Sequence, residues 1–386
     1  MASKQVARAS TSSSSFLIRH AVYVPLGIAT VYVTFFVALL TPLFQRHFIF
    51  LHAIQFPFFP SYDKPANYGL APFKTRALKL STNDGETIGA WHVLPEVYYQ
   101  RLASLDVSEW RQEVYQQAMV EYPTILYLHG NSMNRAAPFR IGAYQTLTGR
   151  IDANVVAIDY RGFGDSTGTP SEQGLVEDAE SAYRWIRHEQ RGAAQSVVVF
   201  GQSLGTGIGA LLATKLERQR QSVDGLVLMA AYTDIKSLVK DFSLAGLVPL
   251  LRPIAWIPFN NLILDRFLKT HLSTITTLPH LLNASSTHHT SIVLLHARDD
   301  PVIPITHSHR LFRTMLRASA TPANENITLH SRTIPDYAYI QHFHLSAQQT
   351  VTFIQTHFGG HNHLTEGALD LVRLALRLPS HLTTPE

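Results

Sequence analysis

The residues best suited to chemistry sit at Val197-Val-Val-Phe-Gly201-Gln202-Ser203-Leu204-Gly205-Thr-Gly207. A β-branched and aromatic run ends at a glycine, a serine follows two positions on, and a small-residue segment over 208–215 reads as helix. This is G-x-S-x-G in a strand–turn–helix setting. Gly201 and Gly205 flank a turn too sharp for side chains. The turn lifts the Ser203 hydroxyl above the sheet edge, and the helix aims its N-terminal amides at the same spot. A serine hydroxyl is a weak nucleophile at neutral pH. It needs a base to take its proton, an acid to orient that base, and donors for the oxyanion.

For a strand-borne nucleophile of this kind the acid follows in the chain, then the histidine. Ile292-Val-Leu-Leu-His296-Ala-Arg-Asp299-Asp300-Pro301 reads as a strand closing on two aspartates. Asp300, directly before Pro-Val-Ile-Pro, is the preferred acid, and Asp299 reads as a loop cap. The base is expected after the last strand, where Val351-Thr-Phe-Ile-Gln-Thr-His357-Phe-Gly359-Gly360-His361 supplies strand, Gly-Gly loop and histidine. His361 is preferred over His342 and His344, which precede the strand, and over His363, which reads as a surface residue. The expected oxyanion donors are the Leu204 amide and an amide near Asn131 in His129-Gly130-Asn131-Ser132.

The elements that carry these residues alternate. Strands are predicted at 77–80 and 87–94, joined by Asn83-Asp84-Gly85, then at 124–128, 154–159, 197–203, 226–229, 292–296 and 350–356. Helices are predicted at 138–150, at 171–190 with Glu177, Asp178 and Glu180 exposed, and at 366–378. Residues 97–121, with Trp110 and Tyr115, read as a helical insertion. Several strands are continuous apolar runs, the mark of strands buried on both faces. The fold class is therefore α/β, a mostly parallel central sheet with helices on both faces. The candidate residues all follow strands, so they can meet beyond the carboxyl ends of the sheet.

Composition sets the wider bounds. The chain has 386 residues, 46% hydrophobic and only 16% charged, which hints at a membrane. Its net charge of +4 carries no Lys/Arg run, so nucleic acid is not an expected partner. It has no cysteine, which excludes disulfides and zinc–thiolate sites, and its 20 histidines show no metal-binding spacing. Neither a metal nor a cofactor is expected. Residues 1–20 read as a disordered tail. Residues 21–44 read as a transmembrane signal anchor, with a buried core helix or a cleaved signal peptide as competing readings. Lys4, Arg8 and Arg19 before this stretch place the N-terminus in the cytosol and the rest on the lumenal side. The sequons at Asn283 and Asn326 agree with that orientation. Residues 45–69 form a membrane-proximal linker. Its aromatic stretch 48–60 suits either a membrane interface or packing on the domain. Residues 70–386 form the main domain.

Taken together, Leu126-Tyr-Leu-His129-Gly-Asn, Asp159-Tyr-Arg-Gly-Phe-Gly-Asp165, Gly201-Gln-Ser-Leu-Gly-Thr-Gly207 and Leu295-His-Ala-Arg-Asp-Asp300-Pro resemble the α/β-hydrolase superfamily. With the N-terminal span they resemble its membrane-anchored monoacylglycerol and lysophosphatidylserine lipase branch, the alpha/beta-hydrolase domain-containing protein 12 type. The resemblance implies an α/β-hydrolase fold with a lid at about 236–281, one N-terminal anchor in the endoplasmic reticulum and a lumenal catalytic domain. It also implies a serine hydrolase whose partners are the bilayer and an ester of a single-chain lipid. The lid segment carries Leu244, Leu247, Leu250, Leu251, Ile254, Trp256, Ile257 and Phe259, suited to an acyl pocket or to the membrane. Gln202 stands where the branch often has histidine, and 318–349 is longer than its pattern. A serine peptidase or acyl-protein thioesterase of the same fold is the alternative enzyme, and a non-catalytic scaffold the alternative class.

Overall fold

The computed structural model describes residues 6–102, 112–241, 251, 253, 256, 259–282, 290–320, 327–346 and 349–381. In chain order it contains α1 (Val6–Leu39), α2 (Pro42–Phe50), β1 (Thr75–Ser81), β2 (Thr87–Val93), α3 (Glu96–Leu102), α4 (Gln112–Glu121) and β3 (Thr124–Leu128). There follow α5 (Pro138–Arg150), β4 (Asn154–Ile158), α6 (Glu172–Glu189), β5 (Val197–Gln202), α7 (Leu204–Arg218), β6 (Gly225–Met229), α8 (Ile235–Asp241), α9 (Asn260–Phe267) and α10 (Thr274–Thr277). The chain continues through β7 (Ser291–Ala297), α11 (Thr306–Ser319), β8 (His330–Ile334), β9 (Ala338–His344), β10 (Thr350–Thr356) and α12 (Glu366–Leu376).

One ten-stranded sheet runs β1-β2-β4-β3-β5-β6-β7-β10-β9-β8. From β4 to β10 the pairing is parallel, and both edges are antiparallel. Every residue of β3, β4, β5 and β6 is buried, which explains their unbroken apolar runs. Their side chains still alternate between layers: Val197 and Val199 join one core cluster, Val198 and Phe200 the other. The insertion at 97–121 is two helices, α3 and α4, and Trp110 lies outside the described residues.

Three features depart from the sequence expectation. The stretch 318–349 contains an antiparallel hairpin, β8–β9. β8 is largely exposed and polar, so it carries no apolar alternation to betray it. On α6, Asp178 and Glu180 are buried rather than exposed. Asp178 accepts from the Arg161 backbone amide (2.8 Å) and from its Nε (3.0 Å) and Nη2 (2.8 Å), while Glu180 pairs with Arg184 and Lys215. Ion pairing lets those carboxylates face the domain. At the N-terminus, α1 begins at Val6, so residues 6–20 are helical backbone rather than a disordered tail.

α1 ends at Leu39, short of the expected Phe44. Pro42 cannot supply an amide hydrogen, and Thr41 before it is held extended (φ −89°, ψ 141°), so a new helix starts there. Residues 19–39 of α1 are long and apolar enough to cross a membrane (21 residues, mean hydropathy 2.0), and none of the stretch is buried. α2 and the turn after it pack on the domain. Gln45 donates to the Phe267 carbonyl (2.9 Å) and accepts from the Lys269 amide (3.0 Å), and Phe50 enters the core. Phe58 and Phe59 project outward, 75% and 99% exposed. Of the lid residues, Leu244, Leu247, Leu250, Ile254 and Ile257 lie outside the described residues, as do Asn283 and Asn326. Leu251 is buried, and Trp256 and Phe259 are exposed.

Candidate active site

The end of β5 becomes α7 through a single residue, Ser203, whose backbone is forced to φ 52°, ψ −117°. For a residue with a Cβ this conformation stores about 1–3 kcal/mol of strain. It persists because the surroundings hold it. The Ser203 amide donates to the Met229 carbonyl (2.9 Å), and its carbonyl accepts from the Thr206 amide (2.9 Å) and hydroxyl (2.7 Å). The flanking glycines are sterically required. A Cβ on Gly205 would lie 2.0 Å from the Leu128 carbonyl oxygen, and one on Gly201 would lie 2.4 Å from that of Gly205.

The three strand-end motifs meet. His361 Nε2 lies 3.0 Å from Ser203 Oγ, and His361 Nδ1 lies 2.9 Å from Asp300 Oδ2. Glycines bend the loop back to make this contact, Gly359 at φ 143° and Gly360 at φ 56°. The second oxygen of Asp300 accepts from the amides of Val302 (2.8 Å) and Ile303 (3.0 Å). Burial opposes ionisation of Asp300, but hydrogen bonds and charge from His296 and His361 outweigh it. They hold the carboxyl well below the usual carboxylate range. Asp299 accepts from the Gly360 amide (2.8 Å), so it caps the histidine loop. His342 stacks on His330 on the β8–β9 hairpin, His344 meets both rings edge-on, and His363 is exposed.

The amide of Leu204 opens α7, where helical amides have no acceptor within the helix. Across from it the 130–134 loop is clamped from two sides. Arg140, 1% exposed, donates through Nη2 to the carbonyls of Gly130 (3.1 Å), Asn131 (3.4 Å) and Ser132 (2.9 Å), and through Nη1 to Asn134 (2.8 Å). In a trans peptide the amide hydrogen points away from its carbonyl. Drawing the Gly130 carbonyl to Arg140 therefore turns the Asn131 amide the other way. On the second side, Ser132 and Met133 donate to the carbonyls of Phe50 (2.9 Å) and Ile54 (2.6 Å). Asn131, Ser203 and Leu204 line one partly open cleft, whose empty space amounts to about 750 Å³ when the part open to solvent is counted. Its walls are Phe48, Ile49 and Leu51 beside α2, Ile235, Leu238 and Val239 on α8, and Tyr232, Leu251, Val302 and Ile303.

Three supporting residues were missed or unassigned in the sequence reading. Arg140 sits in an ordinary helix start. His296, 1% exposed, lies under the acid with Nε2 3.4 Å from Asp300 Oδ2. Its Nε2 also lies 2.9 Å from the Ile303 carbonyl, and its Nδ1 2.7 Å from Ser308 Oγ. Gln202 accepts from the Tyr127 hydroxyl (2.7 Å) and donates to Asn362 Oδ1 (3.0 Å) beside the histidine. The arrangement can move a proton from a serine to an imidazole paired with a carboxylate, with Leu204 and Asn131 lining the same cleft. No cluster of three or more metal-ligating side chains occurs among the described residues.

The fold is shared with an alpha-beta hydrolase from Vibrio vulnificus, at TM-score 0.55 and 16% identity over 87% of this chain and 94% of that one. It is also shared with the esterase Pf2001 of Pyrococcus furiosus, at TM-score 0.50 and 13% identity over 84% and 98%. Residues 140–273 match the serine aminopeptidase S33 family. Lysophosphatidylserine lipase ABHD12 of Xenopus tropicalis is 30% identical over 304 residues, 78% of this chain and 70% of the frog protein. The rat protein of the same name is 32% identical over 72% of this chain and 65% of its own length. Human protein ABHD12B is 30% identical over 68% and 67%. Fold, strand-end motifs and this extent of identity agree, and the chain belongs to the ABHD12 family of α/β hydrolases.

Proposed function

We propose that this chain is a membrane-anchored serine hydrolase that cleaves carboxylic esters of single-chain lipids, monoacylglycerols or lysophospholipids. The observation that carries the reading is the unbroken contact from Asp300 through His361 to Ser203, opening on a cleft without a charged side chain among its described lining residues. Ser203 Oγ attacks the ester carbonyl while His361 Nε2 takes its proton. Asp300 accepts from Nδ1 and stabilises the imidazolium. The amides of Leu204 and Asn131 bind the oxyanion. His361 then protonates the leaving alcohol, and water, activated by the same imidazole, releases the fatty acid from Ser203. The relatives' name, lysophosphatidylserine lipase, supports the substrate class. An aminopeptidase would need an acidic group for the substrate ammonium, and the described lining offers none.

A fluorophosphonate probe should label the wild type and leave Ser203→Ala unlabelled. The wild type should hydrolyse monoacylglycerol or lysophosphatidylserine. Equal labelling of the variant, or turnover of peptides alone, refutes the reading. The apolar helix at residues 19–39, preceded by basic residues, supports a single span with the catalytic domain in the lumen of the endoplasmic reticulum. A glycosidase-sensitive mass at Asn283 or Asn326 is then expected, and full protease access in sealed microsomes would contradict it.

A further inference from the structure

A second cavity lies beside the catalytic cleft and plays no part in the chemistry above. It is partly open, and its empty space amounts to about 430 Å³ when the part open to solvent is counted. Its walls include Phe36, Leu39 and Leu40 from the end of α1 and Leu264 and Phe267 from α9. Phe48, Ile49, Val239 and Leu251 line both spaces, so these four side chains are the partition between them. The partition is a packed apolar cluster in which Phe48 meets the edge of Phe35 at 5.8 Å. The one polar side chain among the described residues lining the second cavity, Gln45, spends its amide on Phe267 and Lys269 and leaves the cavity hydrocarbon in character.

The outside of this cavity is also apolar. Leu43 and Phe44 on α2 are 58% and 53% exposed, and Phe259 and Leu262 beside or on α9 are 80% and 69% exposed. An exposed patch of this kind marks an interaction surface. It sits beside the end of the apolar helix, and aromatic residues such as Phe44 and Phe259 favour a bilayer interface. A single-chain lipid that first left the bilayer for water would lose about fourfold in partitioning for each methylene exposed. A path walled by α1, α2 and α9 keeps the chain covered throughout.

We infer that the acyl chain of the substrate enters sideways from the bilayer through this second cavity, passes Phe48 and Leu251, and reaches Ser203 without crossing water. The inference rests on the reading of the chain as a membrane-anchored lipid esterase. During catalysis the carbonyl lies at Ser203 and the tail lies back toward Leu264 and Leu39.

The test uses the full chain in phosphatidylcholine vesicles and two probes, ethyl fluorophosphonate and hexadecyl fluorophosphonate with a diazirine near the tail end. After Ser203 is labelled by the long probe, light should crosslink peptides containing Leu39, Leu264 or Phe267. Crosslinks confined to the peptide around Val302 and Ile303 overturn the inference. Leu264→Trp should lower the ratio of hexadecyl to ethyl labelling rates by about tenfold or more, the loss expected when two buried methylenes are displaced. Phe267→Arg at the mouth should lower the same ratio, and an unchanged ratio in both variants overturns the inference. If neither probe labels Ser203 in the wild type, the esterase reading falls, and this inference with it.

Discussion

Gln202 offers a test of how the histidine loop is held. Its side chain is 2% exposed and links the buried Tyr127 hydroxyl to Asn362, the residue after the base. Gln202→Leu removes both bonds, and the longer one from Nε2 to the His361 carbonyl (3.4 Å), at similar volume. The stranded phenol should cost about 1–3 kcal/mol of stability, read as a lower urea midpoint. The loop loses one tether worth about 0.5–1.5 kcal/mol. That lowers the fraction of enzyme with His361 in register, and so kcat, by about two- to tenfold, with KM little changed. Asn362 is exposed, so Asn362→Ala cuts the same tether from the loop side without orphaning Tyr127. It should reproduce the kcat loss and spare the stability. Steady-state kinetics on a chromogenic ester, with urea unfolding of both variants and the double mutant, separates the two effects. If both variants keep wild-type kcat while only Gln202→Leu is destabilised, the contact is packing and the positioning argument is wrong.

Arg140→Met should release the Gly130 carbonyl and misalign the Asn131 amide. The expected cost is that of an oxyanion donor, about 10²–10³ in kcat, with Arg140→Lys intermediate and Asn131→Ala much milder because the donor is backbone. Equal kcat in Arg140→Met and the wild type, at matched folding by circular dichroism, would refute the clamp. Asp300 titrates below its unfolded value, so its ionised form is favoured by the fold. Its stabilising contribution is complete above about pH 4, the unfolded carboxylate value, and is lost as pH falls from there. Urea unfolding should therefore show the wild type losing stability relative to Asp300→Asn as pH falls below about 4.

What was legible in the chain was local. Ser203 and Asp300 follow largely apolar strands and His361 a mixed one, and each sits in a turn whose glycines or prolines are visible beside it. Parallel pairing of the central strands followed from alternation with helices, while their order did not. What escaped were interactions without a local mark. Arg140 reaches four carbonyls of a loop that precedes its own helix, and nothing distinguishes it from a surface arginine until the loop is folded. Asp178 and Glu180 occupy a helix whose acids looked solvated, yet each has a basic partner brought from elsewhere or one turn away. His296 was read only as the end of a strand, and its place beneath Asp300 depends on the turn through Ile303.

The segment at 45–69 shows why composition alone left two readings open. Its aromatics divide by side: Phe50 fills the core, while Phe58 and Phe59 face outward. The same few residues perform three tasks. Phe48 and Ile49 wall the cleft, the carbonyls of Phe50 and Ile54 hold the amides of Ser132 and Met133, and Gln45 ties the segment to the end of α9. The loop that carries the Asn131 amide is thus braced on one face by the buried Arg140 and on the other by chain that continues directly into the apolar helix. A shift of the helix relative to the sheet would move the Phe50 carbonyl, and with it the Ser132 amide next to the proposed oxyanion donor. The apolar helix and the candidate site are therefore mechanically joined, through hydrogen bonds that a detached linker would not make.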